Sequence, residues 1–307
     1  MIRLETLTLK QLRALTAIAE TGSITAAAEK VGLTPPAIHS QIKHLEEAFE
    51  IPLLQRRADS AGSGLTDEGR AVLDAARRID VILSQCAEQV SALAAGKAGQ
   101  VTLGVVSTGK YFAPRLVRML NELCPDIRII LRVGNRQDTI DDLERHSADL
   151  VIMGRPPRVP EVLATPLGPH PHGLVAPPDH PLARLGTVPT ADLLAQTFLA
   201  RESGSGTRIL MSRYLDQLGD GQTVETIEMG SNETIKQAVI AGLGIAFLSL
   251  HTVMDELRFG RLVLLNAPGL PIVRHWFLVS PADTTLGPAA QRLHNEIIGL
   301  AGSYLPH

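Results

Sequence analysis

"LTPPAIHSQIKHLEEAFEIPLLQRR", residues 33–57, opens on adjacent prolines, runs into a patterned helix and closes on an apolar patch and an arginine pair. A first-turn residue of a helix has no intrahelical partner for its N–H, so proline loses nothing there and presets φ. Thr34 or Pro35 caps this helix, and Pro36 sits in its first turn. The two prolines fix where the helix begins and the angle at which the chain enters it. At 100° per residue, Ile38, Ile42, Leu45 and Phe49 form one narrow apolar stripe. Opposite lie Pro36, Ser40, Lys43 and Glu47, flanked by His39 and His44.

Two shorter helices precede it. Leu12, Leu15 and Ile18 recur at helical spacing until Gly22, and Ser23 then caps "ITAAAEKV" before Gly32. Three short helices with a tight second turn read as a helix-turn-helix. In that motif the third element enters the DNA major groove N-terminus first. Thr34, Pro35, Pro36, His39, Ser40 and Lys43 would face bases, the prolines by apolar contact alone. Arg56 and Arg57, ahead of Gly62 and Gly64, read as a β-wing lying along phosphates. The alternative is an ordinary helical bundle. Residues 1–65 carry seven Lys/Arg and seven Asp/Glu, so net charge does not separate the two.

Downstream, residues 66–95 read as one helix, capped by Thr66 with Asp67 and Glu68 at its positive end. Val72, Ala76, Ile79, Leu83, Cys86, Val90 and Leu93 are spaced 4, 3, 4, 3, 4, 3, the register of a coiled-coil seam. A helix of ~30 residues spans about 45 Å, long for one small domain to cover. A dimer seam is the reading preferred over packing within the chain. "AAGKAGQ" (94–100) reads as a hinge.

The remaining two hundred residues alternate strand and helix. "VTLGVV", "IRIILRV" and "DLVIMG" with intervening helices make a βαβαβ run, and a second run follows from "HGLVAP" to "GIAFLS". Two α/β lobes with a cleft are expected. Ligands of open α/β sheets bind beyond the carboxyl ends of strands, where "STGKY" (107–111), "RESGSGTR" (201–208) and "GSNET" (230–234) fall. Gly204 and Gly206 permit close backbone approach, and Ser203, Ser205 and Thr207 supply hydroxyls at a helix start. That is the chemistry of an anion cradle, with Arg201 or Arg208 to pair the charge. A plain capped turn is the alternative.

Composition bounds the rest. The chain has 307 residues, 45% of them hydrophobic, with net charge -3. No run of ~18 apolar residues suggests a membrane span, and the first residues lack a signal-peptide core. Two cysteines, Cys86 and Cys124, fit a reduced cytoplasmic protein and make no metal site. No Walker pattern, G-x-G-x-x-G or G-x-S-x-G elbow is present. His170, His172 and His180 fall in a proline-rich stretch without metal spacing and read as surface or loop residues. No acid–base pair identifies a catalytic site.

Together these features resemble the LysR-type transcriptional regulators over the whole chain. The resemblance rests on Ser23, Thr25, Ala26–Ala27, Leu33, Pro36, Ala37, Gln41–Ile42, Leu45–Glu46, Leu53 and Arg56, and on "LTDEGR" at the start of the long helix. Pro35 stands where many members carry a base-reading glutamine, and Leu54 where phenylalanine is usual. Within the family, "LTPPA", "STGKYFAPRL", "VGNR", "RESGSGTR" and "ELRFGRLVLLNAPGLPIVRHWFLV" are similar to the RuBisCO-operon (CbbR-type) regulators.

The resemblance implies a winged helix-turn-helix (1–65), a coiled-coil linker and dimerisation helix (66–95) and a two-lobed, periplasmic-binding-protein-like α/β sensor domain (96–307). Lobe I would comprise about 100–168 and 275–307, and lobe II about 169–274. It implies a cytoplasmic homo-oligomer, a dimer or a tetramer built as a dimer of dimers, on promoter DNA upstream of carbon-fixation genes. RNA polymerase is a candidate partner. No resident cofactor or enzymatic activity is implied. The effector would be a small anion, a phosphorylated metabolite or NADPH, held by Ser107, Thr108, Asn135, Glu202, Ser203, Thr207, Asn232 and Glu233. The alternatives are a LysR-type regulator of another pathway with a different organic acid, or a solute-binding protein.

Overall fold

A computed structural model describes residues 4–55, 64–95 and 99–306. The chain divides into two compact units, Met1–Ala87 and Glu88–His307.

In the first unit, α1 (Leu9–Thr21) is started by a capping box between Thr8 and Gln11 and stopped by Gly22 in the left-handed conformation. Ser23 accepts from the Ala26 amide to start α2 (Ile24–Val31), which ends at Gly32. Thr34 is the N-cap of α3 (Pro35–Phe49), so both prolines lie in its first turn. Ile38, Ile42, Leu45 and Ala48 are its buried face, while Phe49 is only half-buried. Ile38, Ile42 and Leu45 pack with Leu12, Leu15, Ile18, Ala27 and Ala28 into one core. Each fully buried Leu or Ile there contributes about 1.5–3 kcal/mol.

Glu46 holds the next segment by accepting from the Leu53 and Leu54 amides. Leu54 and Leu65 form an antiparallel bridge at the base of the expected wing. Arg56 and Arg57 lie outside the described residues. Thr66 Oγ1 then accepts from the Gly69 amide at 2.9 Å and starts α4 (Asp67–Ala95). A Cβ at Gly69 would sit 2.1 Å from the Leu53 carbonyl oxygen, so only glycine lets the helix start so close to that strand. Val72, Leu73 and Ala76 of α4 belong to the same core.

The second unit is built on one nine-stranded sheet. Its first lobe gathers β1 (Gly99–Val106), α5 (Ala113–Leu123), β2 (Ile127–Gly134), α6 (Arg136–Glu144) and β3 (Leu150–Met153). β1 pairs in parallel with β2 and with β3, as the βαβαβ pattern requires. A long strand β4 (Val162–Ala176) follows, then α7 (Thr190–Leu194), β5 (Phe198–Arg201), α8 (Gly206–Gly219), β6 (Thr226–Met229), α9 (Asn232–Ile240), β7 (Ile245–Ser249), α10 (Met254–Arg258) and β8 (Val263–Leu265). The chain returns through β9 (Ile272–Pro281) to α11 (Pro288–Gly299). The strand order is β2-β1-β3-β9-β4-β7-β5-β6, with β8 beside β4.

Period-two alternation explains the second lobe. Phe198, Ala200, Ile245, Phe247, Leu174 and Ala176 feed one core with Met211, Tyr214 and Leu215 of α8. Their neighbours Leu199, Ala246, Leu248 and Val175 feed the opposite core with Ile235 and Val239 of α9. β4 and β9 are antiparallel partners and run through both lobes. The stretch containing Pro166, Pro169 and Pro171 is therefore a strand inside the sheet, with its register shifting between Pro166 and Gly168.

No helix among the described residues is long and apolar enough to cross a membrane.

Candidate functional site

On α3, Thr34, Pro35, Pro36, His39 and Lys43 are exposed and Ser40 is half-buried, on the side away from Ile38, Ile42 and Leu45. The prolines and Lys43 thus stand free at the N-terminal half of a helix whose opposite face is fixed in the core. Lys43 reaches Glu47 at 3.8 Å only weakly.

Along α4 the heptad positions separate into two sets. Val72 and Ala76 are buried in the chain's own core, whereas Ile79, Leu83, Cys86 and Val90 are exposed. Ile82, 55% exposed, joins the exposed set. The side chain of Leu93 lies outside the described residues.

In the second unit a cavity of ≈ 420 Å³ opens beyond the carboxyl ends of β1, β3 and β5. Ser107, Thr108, Ser205, Gly206 and Thr207 line one part of it. Ser205 is the N-cap of α8 and makes no side-chain cap bond, so among the described residues the first-turn amides of α8 have no side-chain cap. Gly204, at φ +88, turns the chain into that helix, while Gly206 is already helical.

The other walls carry five guanidinium groups: Arg136 of α6, Arg155 and Arg158 after β3, Arg213 of α8 and Arg274 of β9. Among the described residues the lining holds no Asp or Glu, and none of the five has a carboxylate partner. Burial, then Arg213, Arg158 and Arg274, depresses the Arg155 pKa, and burial, Arg155 and Arg213 depress that of Arg136. Crowded like charges without a carboxylate partner among the described residues attract negative charge. Neither Arg201 nor Arg208 supplies this charge. Arg208 pairs with Glu228 at 2.9 Å and donates to the Arg201 carbonyl.

Arg201 is the hub of a separate network. Its guanidinium holds Glu202 through both carboxylate oxygens, at 2.7 and 2.8 Å, and donates to Asn232 Oδ1 at 2.6 Å and Ser107 Oγ at 3.1 Å. Beside it, Glu233 accepts from Lys110 and Tyr111. Burial opposes the Glu233 charge, but those two hydrogen bonds outweigh it and hold the carboxyl down at about 2. Glu202, Asn232 and Glu233 thus tie the Ser107–Tyr111 turn to β5 and α9 and do not line the cavity. Asn135 caps α6 through Asp138, and Ser203 is exposed outside the cavity. Of the expected effector set, Ser107, Thr108 and Thr207 line the cavity.

The histidines correct the sequence reading. His170 and His172 are 3% and 4% exposed and form part of the cavity wall. They lie on one face of β4, and three prolines disguised that strand as a loop. The arginines were missed because they are scattered along the chain from Arg136 to Arg274. "GRPPR" (154–158), directly after β3, was the one local signal.

Comparison with known proteins follows this division. Residues 9–70 match the family described as bacterial regulatory helix-turn-helix protein, lysR family. Residues 94–300 match the LysR substrate binding domain. The chain is 68% identical over 306 residues to the HTH-type transcriptional regulator CbbR of Cereibacter sphaeroides, covering 100% of this chain and 99% of that one. It is 39% identical over 294 residues to the RuBisCO operon transcriptional regulator of Allochromatium vinosum, covering 95% and 96%. Among solved structures, the regulatory domain of Synechocystis PCC6803 CcmR in complex with 2-PG superposes with a TM-score of 0.62 at 32% identity, covering 66% of this chain and 97% of that one. Full-length CbnR complexed with its target DNA shares the fold, with a TM-score of 0.68 at 19% identity over 95% and 99%.

Proposed function

The chain belongs to the LysR family of bacterial transcriptional regulators, and we propose that it controls carbon-fixation (RuBisCO) genes in response to a small, multiply charged anion. The observation that carries this reading is the 68% identity to a CbbR regulator along the entire chain. It acts in the cytoplasm as a regulator and not as an enzyme.

The DNA contact follows from α3. Its N-terminal residues Thr34, Pro35, Pro36, His39, Ser40 and Lys43 enter the major groove, and Arg56 and Arg57 hold phosphates beside it. The exposed apolar run of α4 from Ile79 to Val90 pairs two chains, and such dimers associate further into a tetramer. Two half-sites are then read together.

The anion seats between Thr207, Ser205 and the arginines. Arg136, Arg155 and Arg158 come from the first lobe, and Arg213 from the second. An anion between them relieves their repulsion and favours the arrangement that gathers them. A ligand shifts an equilibrium only by such differential affinity. Five guanidinium groups without a carboxylate suit a phosphorylated metabolite or NADPH better than a monocarboxylate.

The test is footprinting upstream of the protein's own gene and its divergent neighbour, with ribulose bisphosphate, phosphoenolpyruvate or NADPH. Each active ligand should alter an existing footprint. An unaltered footprint with all three would refute the effector class, and no footprint at all would refute the regulon.

A further inference from the structure

His170 and His172 sit at the floor of the arginine cavity, and neighbouring elements surround them with imidazoles and positive charge. β9 stacks Trp276 on His170 at 3.7 Å and brings Arg274 to the cavity. β7 offers Phe247, 5.9 Å from His172, and Ser249, whose Oγ lies 2.9 Å from His170 Nε2. The Leu250–Thr252 turn contributes His251, 5.8 Å from His170. His251 Nδ1 accepts from Trp276 Nε1 at 3.1 Å. Arg136, Arg155, Arg158 and Arg213 close the cavity above.

The two histidines differ in what a second proton would meet. His170 Nδ1 is buried without a hydrogen-bond partner among the described residues. It faces Gly154, where a Cβ would come within 2.8 Å. A proton there would find no acceptor. His172 is the opposite case. Its Nδ1 donates to the His170 carbonyl at 3.0 Å in the neutral ring, so a second proton goes to Nε2, which is not among the buried unpartnered atoms. The imidazolium form of His172 therefore strands no buried donor. What it lacks is negative charge.

We propose that an anion entering this cavity draws a proton onto His172, so that occupancy is coupled to proton uptake and strengthens as the pH falls. This rests on the reading of the cavity as an anion site. Burial first, with His251 and Arg274 adding to it, pushes the His172 pKa down to about 4 against the pull of its backbone contacts. An anion among the arginines offsets their positive charge and raises that value. By linkage, whatever raises the pKa of His172 must bind the protonated form more tightly. The coupling gives the regulator a second input, because the same anion then reports more strongly in an acidified cell.

The probe is inorganic sulfate, which does not titrate in the relevant range. Calorimetric titration of the full-length chain, in two buffers of different ionisation enthalpy, counts the protons taken up. In the wild type uptake should approach one proton per sulfate toward pH 5.5, with affinity rising by up to about tenfold per pH unit. His172→Asn should bind sulfate with no uptake. Histidine ring resonances of the wild-type protein give a second readout that needs no variant, and one titration should move upward when sulfate is added. Sulfate binding without proton uptake, or uptake that persists in His172→Asn, would overturn the coupling alone. Absence of sulfate binding at every pH would overturn the anion site and the coupling with it.

Discussion

His172 shows how one residue connects burial to stability. Its pKa is about 4 in the fold against 6.5 when free, so the unfolded chain binds the extra proton first as the pH falls. Stability therefore rises with pH through this window. The contribution is fully present above pH ~6.5 and is lost progressively toward pH ~4, a difference of ~3 kcal/mol. Thermal melts between pH 7.5 and 4.5 should show this loss, and His172→Asn should flatten it. An equally steep profile in the variant would place the acid sensitivity elsewhere. His170 belongs to the same cluster, and burial with the two neighbouring imidazoles depresses its pKa as well.

At the scale of elements, α4 does two jobs along one heptad. Its N-terminal turns complete the core of the DNA-binding unit through Val72, Leu73 and Ala76. Its later turns expose Ile79, Ile82, Leu83, Cys86 and Val90. A single chain leaves that stripe in water, which is the driving force for pairing two copies. A lysine in the middle of the paired stripe must desolvate its charge or break the contact, at a cost of several kcal/mol. Leu83→Lys should sediment as a monomer at micromolar concentration with an unchanged far-ultraviolet spectrum. Val72→Lys should instead unfold the first unit, because Val72 lies in its core. A wild-type monomer under the same conditions would refute the seam.

Across the sensor domain, β4 and β9 carry the chain between the lobes, and polar contacts fasten the mouth. The Arg201 hub and the Glu233 cluster join the Ser107–Tyr111 turn of the first lobe to β5 and α9 of the second. Signal and fastening are separate groups in the proposed function: the anion is proposed to seat among the cavity arginines, whereas the Arg201 network joins elements of the two lobes. A ligand at 100 times its Kd stabilises the full chain by ~2.7 kcal/mol, so an active anion should raise its melting temperature. Thr207→Val keeps the shape of the cavity wall and removes one hydroxyl. It should abolish the ligand-induced rise and the footprint change while leaving ligand-free DNA binding intact. A wild-type response in Thr207→Val would remove the α8 start from the anion site.

What was legible in the sequence was local. Prolines at 35 and 36, glycines at 22 and 32 and caps at Ser23 and Thr66 act within a few residues, so helix limits in the first unit follow from neighbouring chemistry. The first-lobe strands were equally legible, because short apolar runs alternating with helices need no distant partner to be recognised. The cavity was not. Its arginines come from α6, the turn after β3, α8 and β9, and only sheet order brings these together. Tertiary structure also decided that β4 lies between β9 and β7 despite its prolines, because both neighbours pair with it and a register shift absorbs the irregularity. It likewise divided the α4 heptad, burying Val72 and Ala76 and leaving Ile79, Leu83, Cys86 and Val90 exposed. Periodicity determines which face of a helix is apolar; what covers that face depends on which elements long-range packing places beside it.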